Sequence, residues 1–376
     1  MTAPIYLDNS AMTRPSDYVL QQMGPFFKRH WHAEAAPYVV GKEPFASLRR
    51  SVASVRTLVG AAHDDVVFFT SSAAAALNQF CQHTYLHRMV TSGCNQILTT
   101  ALEEHPLRRV LDGWERGGCA IKEIALNEVG QVTVDALEEA LSPRTGLVSL
   151  AWANSASGVV HPIGDLAALC RQRGVWLHVD VTSILGKQYF QWRDFPIDAL
   201  TFDGDRLHGP RGAGALLVRH GCQLQEEPAV AFNPAAVVGL GVACEEAEAQ
   251  LDHVALETAR LRSLFEEGLV NGCHAEILFA DAERVPHITL IAFPGLSAEL
   301  LAFYLKAEGI EVSVGEVRYP SLRGLLSSLR MPPAKARSAL SFGLSYLTTE
   351  KEIKQAIGTI VDRVNRCRTT LATESV

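Results

Sequence analysis

Between residues 60 and 220 the chain alternates short apolar runs with stretches of helical length. Runs at 65–70 (DVVFFT), 96–100, 121–126, 146–152 and 175–180 are rich in Val, Ile, Leu and Phe and predict strands. Segments 73–85, 134–141 and 163–173 read as helices, and Pro106 sits where the first turn of another helix tolerates a missing N–H. This alternation predicts an α/β protein whose mainly parallel sheet carries helices on both faces. The pattern changes at 199–202 and 213–219. These two β segments flank HGPRGAG, which is too short for a crossover helix, so an antiparallel element joins the sheet there. A long, acidic, Ala-rich helix follows at 238–269. A strand at 287–293, a helix at 298–308, strands at 310–314 and 339–342 and a helix at 350–366 then predict a smaller α+β unit. The expected organisation is an N-terminal segment 1–16 packing with the small unit, a large domain 17–254 and a small C-terminal domain 255–376.

Composition narrows the class. Apolar residues make up 48% of the chain and charged residues 20%, which excludes wholesale disorder. A net charge of −7, without a Lys/Arg stripe, argues against nucleic acid or an anionic membrane surface as partner. No run of about 18 apolar residues is present to span a bilayer. Asp8 and its polar neighbours stand where a signal peptide needs an apolar stretch, so a cytoplasmic location is expected. The eight cysteines are scattered and form no CxxC, which predicts reduced thiols rather than disulfides or a zinc site.

GLGVAC at 239–244 lacks the third glycine and the preceding strand of a dinucleotide loop. His30-Trp31-His32-Ala33-Glu34 shows no periodicity that would aim three side chains at one ion, so no metal is expected. The informative segments follow the strands, where open α/β sheets place their ligands. They are ALEEH (101–105), WANSASG (152–158), LHVD (177–180) and TFDGDRLHGPRG (201–212). Together they bring His105, Asn154, Asp180, Asp203, Asp205 and Arg206 into one cleft. An alternative use of the same residues is a simple Asp180–Arg206 pair.

The order YLDNSAMTRP, FFTSSAAAALN, LEEHPLRRV, LAWANSASGVVHPI, LHVDVTSILGK, DALTFDGDRLHGPRGAGALLVR and SYLTTEKEI resembles the cysteine desulfurases of the class V aminotransferase family, from about Pro4 to Arg366. The resemblance implies a fold-type I, pyridoxal-phosphate-type architecture and a homodimer. It also implies a site that this chain departs from. The family's imine lysine corresponds to Arg206, whose guanidinium offers no free amine lone pair. The serine and histidine that bond the cofactor phosphate correspond to Asp203 and Asp205. At ~4 Å and an effective dielectric of ~20, each carboxylate would repel the phosphate by roughly 4 kcal/mol. The phosphate turn corresponds to Ser71-Ser72-Ala73-Ala74, the ring-oxygen glutamine to Ser183, and one of two asparagines to Ser155, with Asn154 kept. The segment reaching the partner subunit falls between Gly221 and Pro234 and lacks Arg and Thr. The sulfur-accepting cysteine corresponds to Arg318 and the carboxylate-binding arginine to Ser341. His105, as the ring-stacking residue, and Asp180, as the ring-nitrogen partner, are the survivors.

The expectation is therefore a catalytically inactive desulfurase-like protein that has lost pyridoxal phosphate. It would act by binding, as a homodimer or a heterodimer with an active relative, with a sulfur carrier or iron–sulfur assembly protein as a further partner. Two rival readings are an enzyme that holds the cofactor noncovalently and one that uses the cleft for acid–base work without it.

Overall fold

The computed structural model describes residues 4–30, 43–222, 233–315 and 321–374. Its first strand, β1 (Ile5–Tyr6), lies apart from the main sheet. That sheet holds β2 (Val66–Thr70), β3 (Gln96–Thr99), β4 (Ala120–Glu123), β5 (Thr145–Ala151), β6 (Trp176–Asp180), β7 (Ala199–Asp203) and β8 (Gly214–Val218), in the order β2-β8-β7-β6-β5-β3-β4. Strands β3 to β7 pair in parallel, whereas β8 runs antiparallel to both its neighbours. The α/β class, the mainly parallel sheet and the antiparallel element after β7 are all as the pattern predicts. β4 stops at Glu123, three residues short of the predicted run.

Alternation along the strands sorts the core into two layers. Ile97, Leu147, Leu216 and Val218 face one side, where they meet Leu77 and Phe80 of the helix Ala73–Thr84 and Leu107 and Leu111 of the helix His105–Arg116. Leu98, Val148, Leu177, Val179 and Leu217 face the other. There they meet Val55 and Leu58 of the helix Glu43–Val59, Leu166 of the helix Ile163–Gln172, and Leu240. Each such side chain, fully buried, contributes about 1.5–3 kcal/mol. The helices start where hydroxyl and amide caps permit: Ser72 accepts from Ala75 N–H, Thr133 from Ala136 N–H and Asn233 from Ala235 N–H.

The helix Pro234–Cys273 is longer at both ends than its periodicity predicts, with Pro234 preorganised at its first position. Its first turns pack on the sheet through Leu240 and Ala243. Its last turns place Leu261, Phe265 and Leu269 in a second core with Phe293, Leu301, Phe342 and Ile353. That core lies on β9 (Glu276–Ile277), β10 (Ile288–Ala292) and β12 (Ala339–Gly343), paired antiparallel about β10. β11 (Ile310–Glu311), shorter than the predicted 310–314, pairs in parallel with β1, and Leu7 beside it is fully buried. Among the described residues no helix is long and apolar enough to cross a membrane.

The first turns of the long helix lie hard against the helix Glu43–Val59. A Cβ on Gly241 would stand 2.5 Å from the Cα of Ser51, a backbone atom that cannot swing away. Gly241→Ala gains about 1 kcal/mol of helix propensity but overpacks a rigid contact at about 1–3 kcal/mol. The expected result is a lower urea midpoint with an unchanged m-value.

Candidate functional site

The C-terminal ends of β3, β5, β6 and β7 bring together four buried charged groups, Glu103, Glu104, Asp180 and Arg206, and the half-buried Asp203. Arg206 ends a one-turn 3-10 helix after β7, and Glu104 caps the start of the helix His105–Arg116. The two meet in a two-pronged ion pair: Arg206 Nη1 donates to Glu104 Oε1 at 2.6 Å and Nη2 to Oε2 at 2.7 Å. Both are buried, at 3% and 6% exposure, so little solvent screens the pair. Ser183 Oγ accepts a longer bond from Nη1 at 3.4 Å, and Nε of Arg206 has no partner among the described residues. The guanidinium is held above its ordinary value by Glu104, with Asp203 and Asp180 adding to the effect against burial.

Asp180, the last residue of β6, is fixed by a hydrogen-bond chain whose direction can be worked out. Oδ2 accepts from Thr201 Oγ at 2.9 Å and Oδ1 from Thr182 N–H at 3.1 Å. Thr201 has a single hydroxyl proton and spends it on Asp180, so it accepts from His178 Nε2, 2.9 Å away. His178 Nδ1 is then the acceptor, and Ser149 Oγ, 2.9 Å away, donates to it. Burial pushes His178 down to about 3, consistent with this single neutral tautomer. Burial pushes Asp180 up to about 7, with Arg206 opposing and Glu104 and Asp203 reinforcing the shift.

Two further carboxylates complete the group. Asp203 Oδ1 accepts from Ala73 N–H at 2.6 Å, so this carboxylate already engages the start of the helix Ala73–Thr84. Gly214 allows the approach, since a Cβ there would stand 2.8 Å from the carbonyl carbon of Ser72. Glu103 accepts from Thr100 Oγ and Ala151 N–H, and burial pushes it up to about 8.

The other expected site residues are placed differently. His105 is exposed, and its neighbour Glu104 is the residue that turns into the cleft. A shift of one residue at the start of a helix rotates a side chain by about 100°, enough to exchange inside for outside. Asn154 is buried, with Oδ1 accepting from Ala156 N–H, Ser157 N–H and Ser157 Oγ, so it shapes its own loop. Asp205 is half-buried, and its backbone carbonyl accepts from Thr13 N–H and Oγ. Ser341 donates to the Ala156 carbonyl at 2.7 Å, a role in packing rather than in gripping a carboxylate. Arg318, the residues 31–34 of the His-Trp-His-Ala-Glu stretch and most of the segment 221–234 lie outside the described residues. Among the described residues no three His, Cys, Asp or Glu side chains could hold a metal ion. Glu103 and Glu104, which sequence reasoning missed, were signalled by two adjacent acids directly after a strand.

The family model for class-V aminotransferases matches residues 5–231. A cysteine desulfurase of Bradyrhizobium diazoefficiens is 31% identical over 97% of this chain and 96% of its own length. The cysteine desulfurase NifS of Azotobacter vinelandii is 28% identical over 94% of this chain and 91% of its own. Among solved structures, a NifS-like protein superposes with a TM-score of 0.87 at 24% identity, over 96% of this chain and 99% of its own. The apo cysteine desulfurase of Thermococcus onnurineus NA1 gives 0.81 at 17% identity, over 96% and 95%. The architecture is thus that of the fold-type I, NifS-like structures.

These likenesses correct one expectation. They point to pyridoxal phosphate as cofactor, against the expectation that it has been lost. The described side chains fit one end of that group. Asp180 is a buried carboxylate of the kind that can pair with a ring nitrogen, whereas Arg206 cannot bond an aldehyde and Asp203 already occupies the helix start where a phosphate would seek N–H donors.

Removing one partner of the Glu104–Arg206 pair leaves a buried charge alone. Glu104→Gln is expected to cost about 3–5 kcal/mol in urea unfolding, a large share of a total near 5–15 kcal/mol. Combining it with Arg206→Met should restore most of that loss, because both charges are then gone.

Proposed function

The chain belongs to the class-V aminotransferase family, and we propose that it is a cysteine desulfurase-like protein that takes pyridoxal phosphate without a covalent bond to residue 206. The observation that carries this reading is the ion pair at Arg206: a guanidinium held by Glu104 through two hydrogen bonds cannot supply an imine nitrogen. When bound, pyridoxal phosphate supplies an electron sink for carbanion chemistry. This chain's own contribution is to hold Asp180 in place through Thr201 and His178, and to keep the charges around it buried and paired. Asp180 titrating near 7 can meet a ring nitrogen with the two sharing one proton.

A second reading is favoured by one sequence fact. No cysteine lies between residues 274 and 366, so that region of the chain carries no thiol to receive sulfur. In this reading the protein is catalytically inactive and acts by binding, as a dimer or as the partner of an active desulfurase in sulfur transfer. Both readings share the cofactor site and part at turnover.

Titrating the purified protein with pyridoxal phosphate should give a saturable absorbance change, and borohydride followed by peptide mapping should leave no adduct at residue 206. Asp180→Ala should weaken binding by at least about tenfold, the loss of one buried charge-assisted hydrogen bond. No saturable binding would sink the proposal. Release of alanine from cysteine by the loaded protein favours the enzyme, and loaded protein that releases none favours the binding role.

A further inference from the structure

Lys187 lies in the turn after β6 and is buried at 8% exposure, yet it makes no ion pair with a carboxylate among the described residues. Its Nζ donates to two backbone carbonyls, that of Leu185 at 3.1 Å and that of Arg206 at 2.6 Å. A charged ammonium carries three N–H bonds and a neutral amine two. The two carbonyls therefore use both hydrogens of the neutral form and leave its lone pair unspent.

Lys187 also lines a cavity of about 30 Å³, together with His208, Glu246, Gln250, His287 and Tyr346. His287 is 2% exposed, and its Nδ1 is buried without a hydrogen-bond partner. Burial and the Arg206 guanidinium pull Lys187 down to about 7, with Asp205 opposing. The surrounding groups keep the cavity free of added positive charge. Burial holds His208 down to about 4 and His287 well below its ordinary value, and Glu246 accepts from Ser16 Oγ. Tyr346, its ring tilted against that of His208 with centroids 4.3 Å apart, is pushed up by burial and keeps its proton. An amine desolvated beside a fixed cation is the arrangement that makes a lysine nucleophilic.

We propose that Lys187 is a carbonyl-reactive amine, that its cavity takes a small aldehyde or ketone, and that neutral His287 hydrogen-bonds the carbinolamine as it forms. The amine lone pair forms the C–N bond while the carbonyl π pair moves to oxygen, which takes up a proton. The first proton on that oxygen comes from the nitrogen; the second N–H proton passes to the hydroxyl, which leaves as water, and an imine forms with no oxidant or reductant. The cavity limits the partner to a few heavy atoms. This inference goes beyond the cofactor reading above: Arg206 also lines the cavity and its carbonyl accepts from Lys187, but the reacting amine is that of residue 187 and its test uses no cofactor.

The test is reductive alkylation with acetaldehyde and cyanoborohydride, without added cofactor, followed by peptide mapping. At pH 7 an ordinary lysine is neutral in less than about one molecule in a thousand. Lys187 should therefore be ethylated at least about tenfold faster than exposed Lys28 and Lys351, with a rate that levels off above a midpoint near pH 7. A plateau near neutral pH is the signature expected of Lys187. Lys187→Arg should remove the fast phase alone, and His287→Gln should slow it by at least about tenfold while leaving the labelled residue the same. Lys187 unlabelled, or labelled no faster than Lys28, overturns the proposal. An unchanged rate in His287→Gln overturns the part given to His287. The wild-type peptide map decides the main claim even where a variant does not fold.

Discussion

The cleft is organised around one constraint, a guanidinium that cannot give up its proton at any accessible pH and is nonetheless buried. Arg206 is 3% exposed, and without a counter-charge its desolvation would cost several kcal/mol. Glu104 meets this with both oxygens at 2.6 and 2.7 Å, a geometry that fixes the direction as well as the charge of its partner. The consequences spread outward. Holding Glu104 at that point fixes the start of the helix His105–Arg116, which lies on the sheet through Leu107 and Leu111. Holding Arg206 fixes the turn after β7, whose carbonyls anchor Thr13 on one side and Lys187 on the other.

Around this pair the sheet acts as a set of rulers. Parallel pairing places Asp180 opposite Thr201 and Ser149 opposite His178, so the proton chain from Ser149 to Asp180 crosses three adjacent strands without any loop movement. The neutral His178 in its middle is what lets Asp180 remain acceptor-only at two positions. Such a chain depends on register, since a one-residue slip would turn every member to the opposite face.

The fold was legible because it rests on periodicity, which short apolar runs carry plainly. The alternation that sends Ile97 and Leu98 to opposite cores needs only local sequence and the pleat of a strand. The helix Asp17–Lys28 was harder to see because Pro25 interrupts its pattern, although Ser16 at its cap gave a usable start signal. The site was legible only in part. Asp180, Asp203 and Arg206 follow from strand ends, but matching His105 by motif order placed the wrong one of two neighbours in the cleft. Which of Glu104 and His105 turns inward depends on where the helix begins, and element boundaries are what sequence specifies least well. The ion pair itself joins residues 104 and 206, far apart in sequence, and no local pattern announces it.

The same turn also shows how one fold handles two buried cations in opposite ways. Arg206 cannot be neutralised by losing a proton, so the structure supplies a carboxylate at bonding distance and the charge stays. Lys187, whose Nζ sits 2.6 Å from the carbonyl of Arg206, receives carbonyls only, and its amine can shed the charge instead. The first solution strengthens Arg206 as a fixed charge, and that fixed charge in turn helps depress Lys187. A lysine at position 206 would be free to titrate, and both effects would weaken together. Burial acts most on Lys187 and the Arg206 charge adds to it, so within one loop pair the two cations are pushed in opposite directions.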